Sequence, residues 1–281
     1  MKKCILMLVT AMFFTVSELQ GAQTNMDRVL LANEKYETLF SEKRKTHATD
    51  PEFMNILQNF IFGEIFYIGD LSDQDRELIT VTSLTAIQAL PQLKSHIFAV
   101  LNVGNSPVKI REAIYQCAPF IGFPKTLNAI GVFNEAVRER GIDLPLQEQG
   151  TVSEETRHSK GEDIQNRLYG TEVKDAMKTL PPEYQEKIPN ILTDFCFGDF
   201  YTRTGLDVKD RELLSLVVLA SIGAEKQLSA HIVGNLRAGN SKEKLLATMV
   251  QTIPYIGLPA ALTAINQIKA ITPENYKPIY E

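Results

Sequence analysis

Four side chains capable of acid and base chemistry stand at matched positions: Glu77 with His96, and Glu212 with His231, nineteen residues apart in each case. A histidine near its ordinary pKa gives and takes a proton near neutrality, and a neighbouring carboxylate fixes its orientation. The chain has only 4 histidines, so two of them at one offset single these positions out. Glu64 and Asp199 are also equivalent acids, each following an aromatic-Gly step in apolar surroundings, where an acid needs a partner or a task. Arg76 and Arg211 could hold a substrate carboxylate through two parallel hydrogen bonds, or pair with a nearby Asp or Glu. The plainer alternative is that Asp75-Arg76-Glu77 opens a helix with an ion-pair cluster while His96 is a satisfied interface histidine.

The elements that must position these residues come in two copies. Phe60-Ile61-Phe62-Gly63-Glu64 becomes Phe195-Cys196-Phe197-Gly198-Asp199, and Asp75-Arg76-Glu77-Leu78 becomes Asp210-Arg211-Glu212-Leu213, both at an offset of 135. His96-Ile97, Gly104-Asn105-Ser106 and Pro119-Phe120-Ile121-Gly122 recur at the same offset, which organises the chain as tandem repeats. Apolar residues recur three and four apart, as in Leu213, Leu216, Val217 and Ala220, and no stretch alternates like a half-buried strand. The fold class is therefore all-α. Asp210 suits a first-turn acid or cap, Gly239 a left-handed helix end, and Ser241 the cap of the next helix. Nineteen residues on one unbroken helix would place Glu and His about 100° apart, so their meeting requires a break. Gly223, and Ala89-Leu90-Pro91 in the first repeat, supply it. Whether each Glu meets its own repeat's His stays open, and Asn102, facing Arg237 in the second copy, allows only one repeat to be complete.

Residues 1–22 read as a secretory signal, with Lys2 and Lys3 before an apolar run from Cys4 to Val16 and small residues near Ala22. Export to the periplasm or outside the cell follows as an expectation. The first repeat is then expected over 23–140, a linker over 141–155 around Gly141, Pro145 and Gly150, and the second repeat over 156–281. Removing Lys2, Lys3 and Glu18 from 29 basic and 34 acidic residues leaves 27 and 33, a net charge near −6. That balance argues against nucleic acid and anionic membranes as partners. Cys117 and Cys196 could pair after export, but their apolar helical surroundings favour two buried, inert thiols. No metal cluster, phosphate-cradling loop, nucleophile elbow or nucleotide motif occurs, so neither metal nor cofactor is expected.

The Asp-Arg-Glu-Leu helix start, the later His, Gly-Asn-Ser and Tyr255-Ile256-Gly257-Leu258-Pro259 resemble the carboxymuconolactone decarboxylase family, twice over, across roughly 50–138 and 156–271. The resemblance implies two tandem domains packed as a pseudo-dimer, and a trimer of two-domain chains as the larger assembly. The family also holds alkylhydroperoxidase D-like proteins that use Cys-x-x-Cys. Here Ala89 with Gln92 and Ala224 with Gln227 occupy those positions, which excludes that thiol route. The decarboxylase branch often carries a Glu near Gln92 and Gln227, so the match to it is incomplete. What the resemblance implies is cofactor-independent decarboxylation of a carboxylated lactone or related small molecule. His96 or His231 would protonate carbon, Glu77 or Glu212 would orient the His, and Arg76 or Arg211 would bind the carboxylate. Glu64 and Asp199 stand as further binding candidates. The competing class is a helical binding or assembly module that has lost the chemistry.

Overall fold

The three-and-four periodicity becomes helix throughout the computed structural model, which describes residues 27–272, and no strand occurs among them. The expected signal, residues 1–22, lies outside the described residues, as do 273–281. No helix among the described residues is long and apolar enough to cross a membrane. The chain divides into two compact units at Ile68 and Gly69.

In the first unit, α1 (27–40) pairs with α2 (Pro51–Gly63), which runs into a 3₁₀ turn at Ile65–Tyr67. Gly63 permits the close crossing, because a Cβ there would lie 2.3 Å from the Arg28 carbonyl oxygen. Tyr36, Phe40, Phe62 and Phe66 fill the gap with tilted and edge-on ring contacts.

The second unit holds the remaining helices of both repeats. Those of the first repeat are α3 (Asp73–Ile87), α4 (Leu90–Asn102), α5 (Pro107–Gln116), the single turn α6 (Ala118–Ile121) and α7 (Phe123–Glu139). The second repeat adds α8 (Arg157–Tyr169), the short α9 (Glu172–Met177), α10 (Pro182–Gln185) and α11 (Lys187–Ile191), and a π-helical segment, Leu192–Tyr201. It ends with α12 (Val208–Ser221), α13 (Glu225–Arg237), α14 (Lys242–Ile256) and α15 (Leu258–Ala270).

Local signals set the boundaries. Ser72, Ser106, Asp207 and Ser241 cap α3, α5, α12 and α14 by accepting the amide three residues on. Asp207 is thus the cap of α12, and Asp210 is the first-turn acid beside it. Gly223 breaks α12 from α13 at φ +69°, and Gln88 takes the matching left-handed position in the first repeat, held by bonds to the Thr85 and Lys125 carbonyls. The segment expected as a linker is anchored: Arg111 donates to the Leu146 and Gln147 carbonyls, and Thr204 to Gln149.

α3 and α12 are buried on every side, which is why neither shows an amphipathic stripe to solvent. Leu78, Val81 and Leu84 of α3 enter the core of the first repeat, whereas Ile79 enters that of the second. Leu214, the counterpart of Ile79, enters the first core in return. The exchange is reciprocal in polar groups too. Arg76 donates to Gln251 and Gln251 to Thr80, while Arg211 donates to Gln116 and Gln116 to Ser215. The two repeats therefore pack as a pseudo-dimer about their central helices.

Candidate active site

Glu212 lies one turn into α12, fully buried, and its carboxylate gathers three donors. Tyr169, the last residue of α8, donates to Oε2 at 2.6 Å, and Tyr201, the last residue of the π-helical segment, donates to Oε1 at 2.7 Å. His231 on α13 completes the set, with Nδ1 at 3.2 Å from Oε2 and 2.9 Å from the Tyr169 oxygen. The Tyr169 proton goes to Glu212, so phenol and carboxylate both present lone pairs to Nδ1. Nδ1 must carry a hydrogen, which leaves Nε2 as the nitrogen that exchanges protons. Burial, and then the Glu212 charge, holds both tyrosine hydroxyls well above the ordinary phenol range, so they stay neutral donors.

The helices are locked so that this geometry is fixed before any ligand arrives. Asn235 donates to the carbonyls of Glu212 and His231, both at 2.8 Å, tying α12 to α13. Gly234 leaves room for Tyr169, since a Cβ there would sit 2.4 Å from its hydroxyl and 2.7 Å from Glu212 Oε2. Phe120, from the first repeat, meets the His231 ring edge-on at 5.6 Å.

His231 and Tyr169 line a cavity of about 270 Å³. Its walls are otherwise largely apolar, with Phe120, Leu192, Phe197 and Leu219, and the polar side chains Gln165 and Gln227. No Lys, Arg, Asp or Glu is among the lining residues. Cys196 also lines it, but burial pushes its thiol up, which disfavours the reactive thiolate. Cys117 is likewise buried, and the two thiols are free. Among the described residues, no three His, Cys, Asp or Glu side chains converge as metal ligands would.

The first repeat repeats the pairing with different surroundings. His96 Nδ1 lies 2.8 Å from Glu77 Oε2, and Tyr255 meets the ring edge-on at 5.7 Å. Both residues are buried, and Glu77 Oε1 has no hydrogen-bond partner among the described residues. In both repeats, then, Glu meets the His of its own repeat.

Other candidates lie elsewhere. Arg211 is fully buried between the repeats and spends its guanidinium on Gln116, Glu112 and the Arg203 and Thr204 carbonyls. Arg76 does the same with Gln251 and the Gly69 and Leu71 carbonyls. Neither is among the residues lining the cavity at His231, so the expected carboxylate clamp is not present there. Asp199 takes both oxygens to Arg157, at 3.1 and 3.0 Å, and Glu64 pairs with Arg28. The aromatic-Gly-acid pattern thus marks a tight helix crossing with an ion pair beside the glycine.

Comparison with known proteins decides the family. The profile of the carboxymuconolactone decarboxylase family matches residues 51–135 and 186–270. The chain belongs to that family. A 4-carboxymuconolactone decarboxylase from Acinetobacter baylyi is 24% identical over 121 residues, covering 43% of this chain and 90% of that protein. A nitrosuccinic acid decarboxylase from Metarhizium robertsii is 24% identical over 115 residues, covering 37% of this chain and 80% of its own length. A crystal structure from Burkholderia xenovorans, described as a gamma-carboxymuconolactone decarboxylase subunit, superposes with a TM-score of 0.50 at 19% identity. It covers 85% of this chain and 95% of that one, and it establishes likeness of fold.

Proposed function

We propose that this chain is a cofactor-independent lyase that decarboxylates a carboxylated lactone or related small molecule, with the working site at His231. The observation that carries the reading is the cavity wall itself: a histidine whose Nδ1 is held by Glu212 and Tyr169, lining a mostly apolar cavity. In this reading Nε2 protonates the carbon left as carbon dioxide departs, while Glu212 and Tyr169 hold the ring in the tautomer that this requires. Two relatives named as decarboxylases support the reaction class. Phe120, Leu192 and Phe197 make the wall largely apolar, and low polarity around a carboxylate favours its loss as a neutral gas.

The assay is carbon dioxide release from monocarboxylated lactones and simple β-keto acids, with carboxymuconolactone as the diacid comparison, using the unaltered chain, His96→Ala and His231→Ala. Turnover abolished by His231→Ala and retained by His96→Ala is the expected result. Ligand binding without turnover by the unaltered protein would reassign the cavity to a binding module.

Self-association and export belong to the same proposal. Phe123, Leu127 and Ile87 are exposed, and so are Leu258, Leu262 and Ile222 at the same offset of 135, which supports an interface between chains used by both repeats. Light scattering should give a trimer, and a monomer would overturn that part.

A further inference from the structure

The cavity at His231 carries more chemical information than its volume. Its lining contains no Lys or Arg, so the one wall group able to carry positive charge is His231, backed by Glu212. One carboxylate can be neutralised there. A second carboxylate seated against the apolar wall would be an uncompensated charge near Glu212. Gln165 supplies the other clue. Its side chain is 2% exposed, and one end of the carboxamide is held by Thr193. The other end has no hydrogen-bond partner among the described residues, although the residue lines the cavity. An amide N–H₂ that reaches the cavity wall with no partner among those residues is a hydrogen-bond donor available to a ligand. The Tyr169 hydroxyl cannot serve, because it is committed to Glu212 and His231.

We propose that the cavity takes a small monocarboxylic acid with an apolar body and a carbonyl β to the carboxyl group, and that Gln165 donates its amide hydrogen to that carbonyl oxygen. The assignment rests on the lyase reading of the same cavity. As the bond to the carboxyl carbon breaks, its electron pair passes into the carbonyl to give an enolate held by the Gln165 N–H, and carbon dioxide leaves. The enolate carbon then takes the proton of the His231 imidazolium, and the neutral imidazole regains a proton from water. Gln165 is in this scheme a catalytic residue, since it touches the oxygen on which charge develops.

The test uses three probes: benzoylacetate as the monoacid, 3-oxoglutarate as a diacid with the same reactive unit, and acetophenone as an unreactive, uncharged carbonyl compound. Calorimetric titration and carbon dioxide release are compared for the unaltered chain, Gln165→Leu, Gln165→Glu and His231→Ala. The glutamate keeps an acceptor for Thr193 and removes the donor but adds a negative charge, so the uncharged acetophenone is the probe that reads the donor in this variant, and a thermal melt close to the unaltered chain's certifies its fold. Acetophenone should bind, and both Gln165 variants should weaken it about tenfold, the loss of one buried hydrogen bond. Benzoylacetate should lose carbon dioxide faster than its spontaneous rate and 3-oxoglutarate should not. Equal turnover of the two acids, or unchanged acetophenone binding in both Gln165 variants, overturns the proposal. Gln165-dependent binding without any carbon dioxide release supports this subsite and overturns the lyase reading. Release that needs His231 and ignores Gln165 does the reverse.

Discussion

Tyr169 reaches across 43 residues of sequence to place its hydroxyl 2.6 Å from Glu212 Oε2, and that one bond decides which nitrogen of His231 is free. The phenol proton is spent on the carboxylate, so the phenol oxygen can only accept from Nδ1. Tyr169→Phe keeps the ring contacts with Phe197 and His231 and removes this bridge. Nδ1 keeps only the longer contact to Glu212, at 3.2 Å. The expected outcome is a folded protein about 1–3 kcal/mol less stable in urea, one buried acceptor having lost its donor. Turnover should fall by about ten to a hundredfold in kcat with little change in KM, as suits a positioning residue. A variant with unaltered kcat and pH profile would show the bridge to be structural only.

Glu212 and Glu77 should respond differently to the same isosteric change. Glu212→Gln forces one amide N–H₂ against a group that is itself a donor, because Tyr169, Tyr201 and His231 all donate to this carboxylate. Glu77 Oε1 faces no partner, so Glu77→Gln can place its amide there without opposing a donor, and removes a buried charge. Glu212→Gln is expected to cost about 3 kcal/mol and Glu77→Gln about 1–2 kcal/mol less, by urea denaturation. Equal losses would contradict the donor count at Glu212.

Gly234→Ala tests the same bond from the backbone side. In the middle of a helix, alanine ordinarily stabilises by about 1 kcal/mol over glycine. Here the new methyl would meet the Tyr169 hydroxyl at 2.4 Å and Glu212 Oε2 at 2.7 Å, so Tyr169 must move. A net destabilisation of about 1–3 kcal/mol is expected, with loss of turnover. The double variant with Tyr169→Phe should lose less than the sum of the two, because both break one contact.

Much of this site was legible in the sequence, for local reasons. The offset of 135 exposed the repeats, and the nineteen-residue Glu to His spacing singled out the four residues, but that each Glu meets the His of its own repeat depends on how α3 and α12 pack and was not legible. The stripe Leu213, Leu216, Val217 and Ala220 does pack into one core. Arg76 and Arg211 were open to misreading because nothing local separates an arginine facing a ligand from one facing Gln251 or Gln116 of the other repeat. Gln165, Tyr169 and Tyr201 were missed for the same reason. Comparing the copies offers one signal, since Tyr201 stands where the first repeat has Phe66, a hydroxyl added to an otherwise apolar position. The π-helical segment that aims Tyr201 has no comparable signature in its residues.

Arg211 separates structure from substrate binding. Arg211→Lys cannot satisfy Gln116, Glu112 and two carbonyls with one ammonium, and it leaves Glu112 to Arg203 and the more distant Arg111. A loss of about 3–5 kcal/mol is expected, as for a broken buried ion pair. Wherever the variant is still folded, KM should be unchanged. A raised KM with unaltered stability would restore the carboxylate-binding role.

Alkaline pH should unfold this protein through its site. In the unfolded chain a tyrosine ionises near pH 10, whereas Tyr169 and Tyr201 are held well above that value by burial and by Glu212. Their folded pKa values are raised, so their contribution is fully present below about pH 10 and is lost as pH rises, because only the unfolded state releases the protons. Each such tyrosine should remove about 1.4 kcal/mol of stability per pH unit above about 10, two together twice that. Tyr255 and the thiols of Cys117 and Cys196, also raised by burial, steepen the fall. Urea unfolding from pH 7 to 11 should therefore show a plateau and then a decline, and Tyr169→Phe with Tyr201→Phe should flatten the decline while lowering the plateau. A decline of undiminished slope in that double variant would mean that other groups carry the alkaline transition.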